Sequence, residues 1–123
     1  MKKANLQIVR ENAFSLIELL TIMGIIGVLA GIAIPQYAGY KQGGFDGRAQ
    51  IDMRNVATAE EAYFVDHSSY VTCNQTNCGE LLPGLQALSP GVVLEVTTST
   101  QSFSISASHP QGSGEVFHWN QGS

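Results

Sequence analysis

An apolar run of 21 residues, from position 14 to position 34, constrains this chain more than any other feature. Glu18 is the one charged residue within it. As an α-helix, at about 1.5 Å per residue, the run is roughly 30 Å long, which matches the hydrocarbon thickness of a bilayer. The sequence therefore predicts a helix that enters a membrane or an equally apolar surrounding. It also predicts that the carboxylate of Glu18 needs a partner there.

Charge is distributed unevenly along the 123 residues. Lys2, Lys3 and Arg10 precede the apolar run, whereas three bases and nine acids follow residue 13. A basic segment before an apolar span keeps that end cytoplasmic and sends the rest of the chain out. The exported part is acidic, so we expect no nucleic-acid binding by the subunit itself.

The chain has the small residue Ala13, the aromatic Phe14, Glu18 four positions after Phe14, and Pro35 after the span, in that order. This order resembles the N-terminal signature of type IV pilins and of the related type II secretion pseudopilins, and the resemblance covers roughly residues 10–70. It implies that a prepilin peptidase cuts between Ala13 and Phe14 and methylates the new amine of Phe14. Residues 1–13 would then be a leader. The family usually has glycine in place of Ala13, and we expect cleavage after alanine as well.

The amine that cleavage creates at Phe14 is the natural cation for Glu18. A helix cannot easily fold back to bring its own terminal amine to Glu18, but a neighbour staggered along the axis can offer one. We therefore predict that Glu18 pairs with Phe14 of an adjacent subunit, which would set the register of assembly. The family resemblance implies the same pairing.

The helix is predicted to continue over residues 35–66, with a weak point early in that range. Pro35 removes a backbone hydrogen bond, and Gly43, Gly44 and Gly47 each cost about 1 kcal/mol relative to alanine in a helix. These residues predict a kink and a stretch that loses helix easily, as the corresponding stretch does in the resembled filaments. After Arg48, one apolar face is predicted from Ile51, Val56, Ala59, Ala62, Tyr63 and Asp66.

Residues 67–123 are predicted to form a small globular head. Cys73 and Cys78 lie on the exported side, where the simplest interpretation is a local disulfide. Three antiparallel strands are predicted after residue 91, with the alternating apolar sets Val92, Leu94, Val96; Phe103, Ile105, Ala107; and Phe117, Trp119. The predicted fold is thus α+β, with a long kinked N-terminal helix packed on a three-stranded sheet.

No residue pattern indicates a catalytic site, a cofactor or a metal site. The two cysteines supply only half of a zinc site. The adjacent Glu60 and Glu61 point in different directions from a helix and are interpreted as part of a solvated face. Residues 98–123 hold a single acid, Glu115, which argues against the calcium loop of major pseudopilins.

The sequence and the resemblance together predict a type IV prepilin, a structural protein rather than an enzyme. It would be anchored in the inner membrane through residues 14–34 with its N-terminus cytoplasmic, and a pilus assembly platform would add it to a helical homo-oligomeric filament outside the cell. Adhesion and motility are implied by the family alone. Two alternatives remain open, a pseudopilin of a type II secretion system and a membrane-anchored binding module.

Overall fold

The computed structural model describes Lys3 and residues 13–122. The leader predicted at residues 1–13 falls almost wholly outside the described residues. One compact unit ends at Gln36 and a second begins at Tyr37. The described part of the first unit is mainly helical, and the second contains the rest of the same helix together with the sheet.

A long helix, α1, runs over Leu16–His67. Pro35 lies inside it, where it removes one backbone hydrogen bond. The helix ends before Ser68, whose left-handed φ of 53° lets its N–H donate to the carbonyl of Phe64 over 2.8 Å. The predicted long N-terminal helix is thus confirmed, whereas the kink at Pro35 stays a prediction.

In the second unit, one face of α1 is buried. Its residues recur mainly every three or four positions, as one helix face requires; they are Ala49, Asp52, Met53, Val56, Ala57, Ala59 and Glu60. Val56 and Ala59 were predicted for this face. Ile51, Ala62 and Asp66 are exposed, so their placement on it is wrong. Each residue turns a helix by about 100°, and the buried face follows small alanines rather than the larger Ile51.

The sheet has four antiparallel strands in the order β1-β2-β3-β4. They are β1 Cys73–Asn74, β2 Val93–Thr98, β3 Phe103–Ser108 and β4 Phe117–Gln121. The prediction of three strands is therefore wrong by one, because β1 pairs with Val96 and Glu95 of β2. A strand of two residues is too short to show alternation, so its sequence is typical of the polar loop around it. A short helix, α2, covers Cys78–Leu81 in the same region.

The core lies between α1 and the inner face of the sheet. Leu94 and Val96 of β2 and Ile105 of β3 are buried, and the residues between them point outward. On β4, Phe117 packs against the core and Trp119 lies opposite Ile105. These positions confirm the predicted alternation on β2 and β3, whereas on β4 Phe117 is partly buried and Trp119 is exposed, so the burial predicted for Trp119 is wrong.

Three of the described buried residues are polar: Asp52, Glu60 and His109. Asp52 accepts hydrogen bonds from the N–H and the hydroxyl of Ser89, at 2.7 and 3.2 Å. The carboxylate of Asp52 thereby ties α1 to the loop before β2. Glu60 is fully buried, so its interpretation as part of a solvated face is wrong.

Cys73 and Cys78 form a disulfide, which confirms the predicted pairing. Their Cα atoms are 5.0 Å apart, and both side chains are buried. The bond joins β1 to the first residue of α2 and so encloses the turn between them. Because the head is small, a covalent closure of this kind supplements a limited core.

Replacing both Cys73 and Cys78 with serine should lower the free energy of unfolding of the head by about 2 kcal/mol, the chain-entropy value for a loop this short. The head contains the chain's single tryptophan, Trp119, so urea unfolding followed by its fluorescence measures the head specifically. Serine preserves side-chain size, which keeps the cavity left behind small. An unchanged urea midpoint would mean that the disulfide does not stabilise the head.

Candidate assembly site on the apolar helix

The apolar half of α1 leaves its large side chains exposed in the single chain. Phe14 is 80% exposed and Ile34 is 68% exposed. Every residue between them is also exposed, apart from the half-buried Ala30. Among the helices that the structure describes, α1 is long and apolar enough to cross a membrane. A contiguous apolar surface of this size indicates contact with lipid or with other protein.

Glu18 has a partner within its own chain. Its Oε2 accepts a hydrogen bond from the N–H of Ser15 at 3.0 Å, and its own N–H donates to the Oγ of Ser15 at 3.2 Å. This reciprocal arrangement is a capping box, which satisfies free N–H groups at a helix start. The sequence interpretation missed the role of Ser15, although the spacing Ser-x-x-Glu before an apolar run could have indicated it.

The capping box neutralises no charge. Peptide N–H groups are dipolar donors, so the carboxylate of Glu18 keeps its negative charge at an exposed position. Phe14, Ile17 and Glu18 line one shallow cleft of about 390 Å³, together with Thr21 and Ile22. The site therefore combines an oriented carboxylate with an apolar surround, and it can accept a cation brought by another molecule.

Three glycines leave one face of the apolar half of α1 without side chains. Gly24, Gly27 and Gly31 are spaced three and four residues apart, which places them on one helix face. A Cβ added at any of them meets no atom within 4 Å of the single chain. The glycines therefore fill no packing need inside the described chain, and small residues on one face allow close approach of another helix.

The predicted weak point lies wholly within α1. Gly43 and Gly44 are exposed and Gly47 is half-buried, and an added Cβ would meet nothing within 4 Å at any of the three. Contacts between α1 and the β3–β4 loop begin between Gly44 and Gly47. Phe45 stacks on His109 with ring centroids 4.4 Å apart.

The neighbouring Asp46 holds the same loop. Its carboxylate accepts a hydrogen bond from the N–H of Ser113, with distances of 3.1 and 3.3 Å to the two oxygens. A side chain at Gly112 would collide with this carboxylate, which explains the glycine there. Phe45 and Asp46 therefore fasten α1 to the loop just after the exposed Gly43 and Gly44.

The three histidines lie in separate surroundings. His67 stacks on Tyr63, with centroids 3.9 Å apart, whereas His109 stacks on Phe45 and His118 lies on β4. Among Lys3 and residues 13–122, no group of three or more His, Cys, Asp or Glu side chains is arranged to hold a metal ion.

No family model matches the chain. It is 33% identical over 61 residues to the type IV major pilin protein PilA of Myxococcus xanthus, which is 50% of this chain and 28% of that protein. It is 37% identical over 62 residues to a fimbrial protein of Pseudomonas aeruginosa, covering 50% and 40%. It is 32% identical over 66 residues to the type II secretion system core protein G of Escherichia coli, covering 54% and 46%.

The chain is therefore similar to type IV pilins, to fimbrial proteins and to a core protein of type II secretion. The matched residues span less than half the length of each of these three relatives. The fold described above, a long N-terminal helix on an antiparallel sheet, is the one predicted from the sequence, with one additional strand.

Proposed function

We propose that the chain is a structural, non-enzymatic subunit of a type IV pilus, which polymerises through its apolar helix into a filament. The observation that carries the proposal is the contrast between the two parts of α1. Its second part buries one face against the core, whereas its first part has an apolar surface about 30 Å long that no described residue covers. Lipid before assembly and neighbouring subunits afterwards would cover that surface in turn.

Processing at Ala13 and Phe14 is part of this proposal. Both residues precede α1 and are exposed, so a protease could reach the bond between them without unwinding the helix. A prepilin peptidase on the cytoplasmic side would cut there and methylate the amine of Phe14. The mature chain would remain in the inner membrane until an assembly platform extracts it.

Glu18 would then set the register between subunits. Its carboxylate is oriented by Ser15 but not neutralised, and it lies in an apolar surround where an unpaired charge is costly. The methylated amine of Phe14 from a staggered neighbour would supply the missing positive charge. On assembly, the carboxylate of Glu18 and the amine of the neighbouring Phe14 would leave the interface between lipid and water as an ion pair.

Assembly would also stretch α1 between Pro35 and Gly44. Gly43 and Gly44 lower the cost of losing helix there, and the contacts of Phe45 and Asp46 with the β3–β4 loop oppose it beyond that point. Gly47 lies after these contacts in the chain, so it would contribute least to the loss of helix. The head would therefore stay folded while the chain before it extends.

A type II secretion pseudopilin is the second candidate, favoured by the 32% identity to core protein G. Deletion of the gene in its native host separates the two functions. A pilus subunit predicts loss of long surface fibres in electron microscopy, with exported enzymes still secreted. A pseudopilin predicts the reverse, and a membrane-anchored binding module predicts that neither changes.

A further inference from the structure

Glu60 is a buried acid with a hydrogen-bond partner at one of its two carboxyl oxygens. Its side chain is fully buried on the face of α1 that meets the core. Oε2 accepts a hydrogen bond from the N–H of Val71 at 2.9 Å, which ties α1 to the segment leading into β1. Oε1 is buried and has no hydrogen-bond partner among the described residues.

Among the described residues, burial and one hydrogen bond are what act on the pKa of Glu60, and a second acid, Glu61, follows it on the helix. Burial raises the pKa of Glu60, and the hydrogen bond from Val71 offsets this only in part. On the same helix, Glu61 also has a buried Oε1 without a partner among the described residues. From the segment after α1, Tyr70 faces both acids, and its pKa is raised first by burial and then by the charges of Glu61 and Glu60.

On the sheet side, Glu61 lines a cleft together with Arg54, Phe103 and Gln121. Tyr70 packs its ring edge against Phe103 of β3, with centroids 4.8 Å apart, and stacks on Phe64 of α1. The charged form of Glu60 therefore has one N–H donor in an otherwise buried position. Such a group is more stable in the protein when it carries a proton.

We propose that Glu60 makes the head acid-responsive: proton uptake at this carboxyl removes a buried negative charge where α1 meets Val71, so Glu60 favours the folded head more in mildly acidic than in neutral solution. The neutral acid keeps a carbonyl oxygen that accepts from the N–H of Val71, while the cost of a buried charge disappears. This property belongs to the head and does not depend on polymerisation.

The direction of the pH dependence follows from linkage. A carboxyl whose pKa is raised by folding binds its proton more tightly in the folded state than in the unfolded chain, where the ordinary value is 4.5. Its contribution to stability is fully present below that value and is lost as the pH rises through the folded-state pKa. Because the head contains other acids, the effect of Glu60 must be isolated by substitution.

The test compares the full chain in detergent micelles with its Glu60→Gln variant by urea unfolding, followed through Trp119, from pH 4.5 to 7.5. Glutamine can still accept from Val71 but carries no charge. At pH 7.5 the variant should have the higher ratio of folded to unfolded protein, about tenfold for each unit by which the pKa of Glu60 is raised. The two proteins should converge towards pH 4.5.

Glu61→Gln is the matched control, because it removes one negative charge from the same helical turn and should change the ratio less. Equal gains in both variants, or a Glu60→Gln variant less stable than the parent at pH 7.5, would overturn the proposal. If Glu60→Gln does not fold, the carboxyl carbon of Glu60 is titrated by NMR in the unmodified chain. A midpoint at or below 4.5 would then overturn it equally.

Discussion

A Glu18→Gln variant is expected to be cut, methylated and retained in the membrane, yet to form almost no filaments. Glutamine is an accepted partner in a capping box, so it can still receive the N–H of Ser15 and preserve the start of α1. It has no charge with which to hold the amine of a neighbouring Phe14. The yield of sheared filaments and the amount of processed subunit in membranes, both measured by immunoblot, check the expectation.

Ser15→Ala is the matched control for the capping contribution. It removes the hydroxyl that accepts from the N–H of Glu18 but leaves the carboxylate and its charge. Loss of a cap costs about 1 kcal/mol, which α1 can lose without unfolding, so filaments should still form. If Glu18→Gln assembled like the parent while Ser15→Ala did not, capping alone would explain Glu18 and the pairing between subunits would be wrong.

The second large effect is expected from replacing Gly43 and Gly44 together with alanine. Each alanine should stabilise α1 by about 1 kcal/mol, and neither added Cβ meets another atom in the folded chain. The variant should therefore be a better folded monomer and a poorer filament subunit, because the stretch that must extend is more costly to unwind. Circular dichroism of the purified chain in micelles and the yield of sheared filaments measure the two effects.

Gly47→Ala separates the stretch from helix stability in general. Its Cβ also meets no atom, so it should stabilise α1 by about the same amount as one of the other substitutions. It lies beyond Phe45 and Asp46, where the β3–β4 loop holds the helix, and filament yield should stay near that of the parent. If the variant with alanine at both Gly43 and Gly44 assembled normally, α1 would extend elsewhere or would not extend at all.

Residues whose surroundings are local or periodic were predicted well from the sequence. The apolar run of α1 and the alternation of Leu94 and Val96 report directly on length and period. The Cys73–Cys78 bond follows from proximity along the chain. In each case the property that decides the structure is carried by the residues themselves.

The errors arose where a distant part of the chain decides the outcome. Glu60 is buried because Val71 offers an N–H and the sheet covers that face, and nothing next to Glu60 in sequence indicates either. The pairing of Asn74 with Glu95 makes a strand of two residues too short to show a pattern. Ile51 is exposed because the alanine-rich face of α1 packs on the core instead.

Ser15 is a different kind of omission. The spacing of Ser15 and Glu18 indicates the capping box, whereas the charge of Glu18 indicates a partner outside the chain. The capping box and a pairing with Phe14 are compatible, because the first uses peptide N–H groups and the second uses charge. Local structure therefore adds an orienting residue to the proposed assembly site without replacing its cation.

The most direct measurement is the N-terminal mass of the subunit in fibres sheared from intact cells. We predict long fibres whose subunit begins with N-methylated Phe14, since cleavage after Ala13 would create the amine proposed to pair with Glu18. A subunit that begins at Met1 and is found only in the membrane fraction would contradict both the processing and the assembly proposed for this chain.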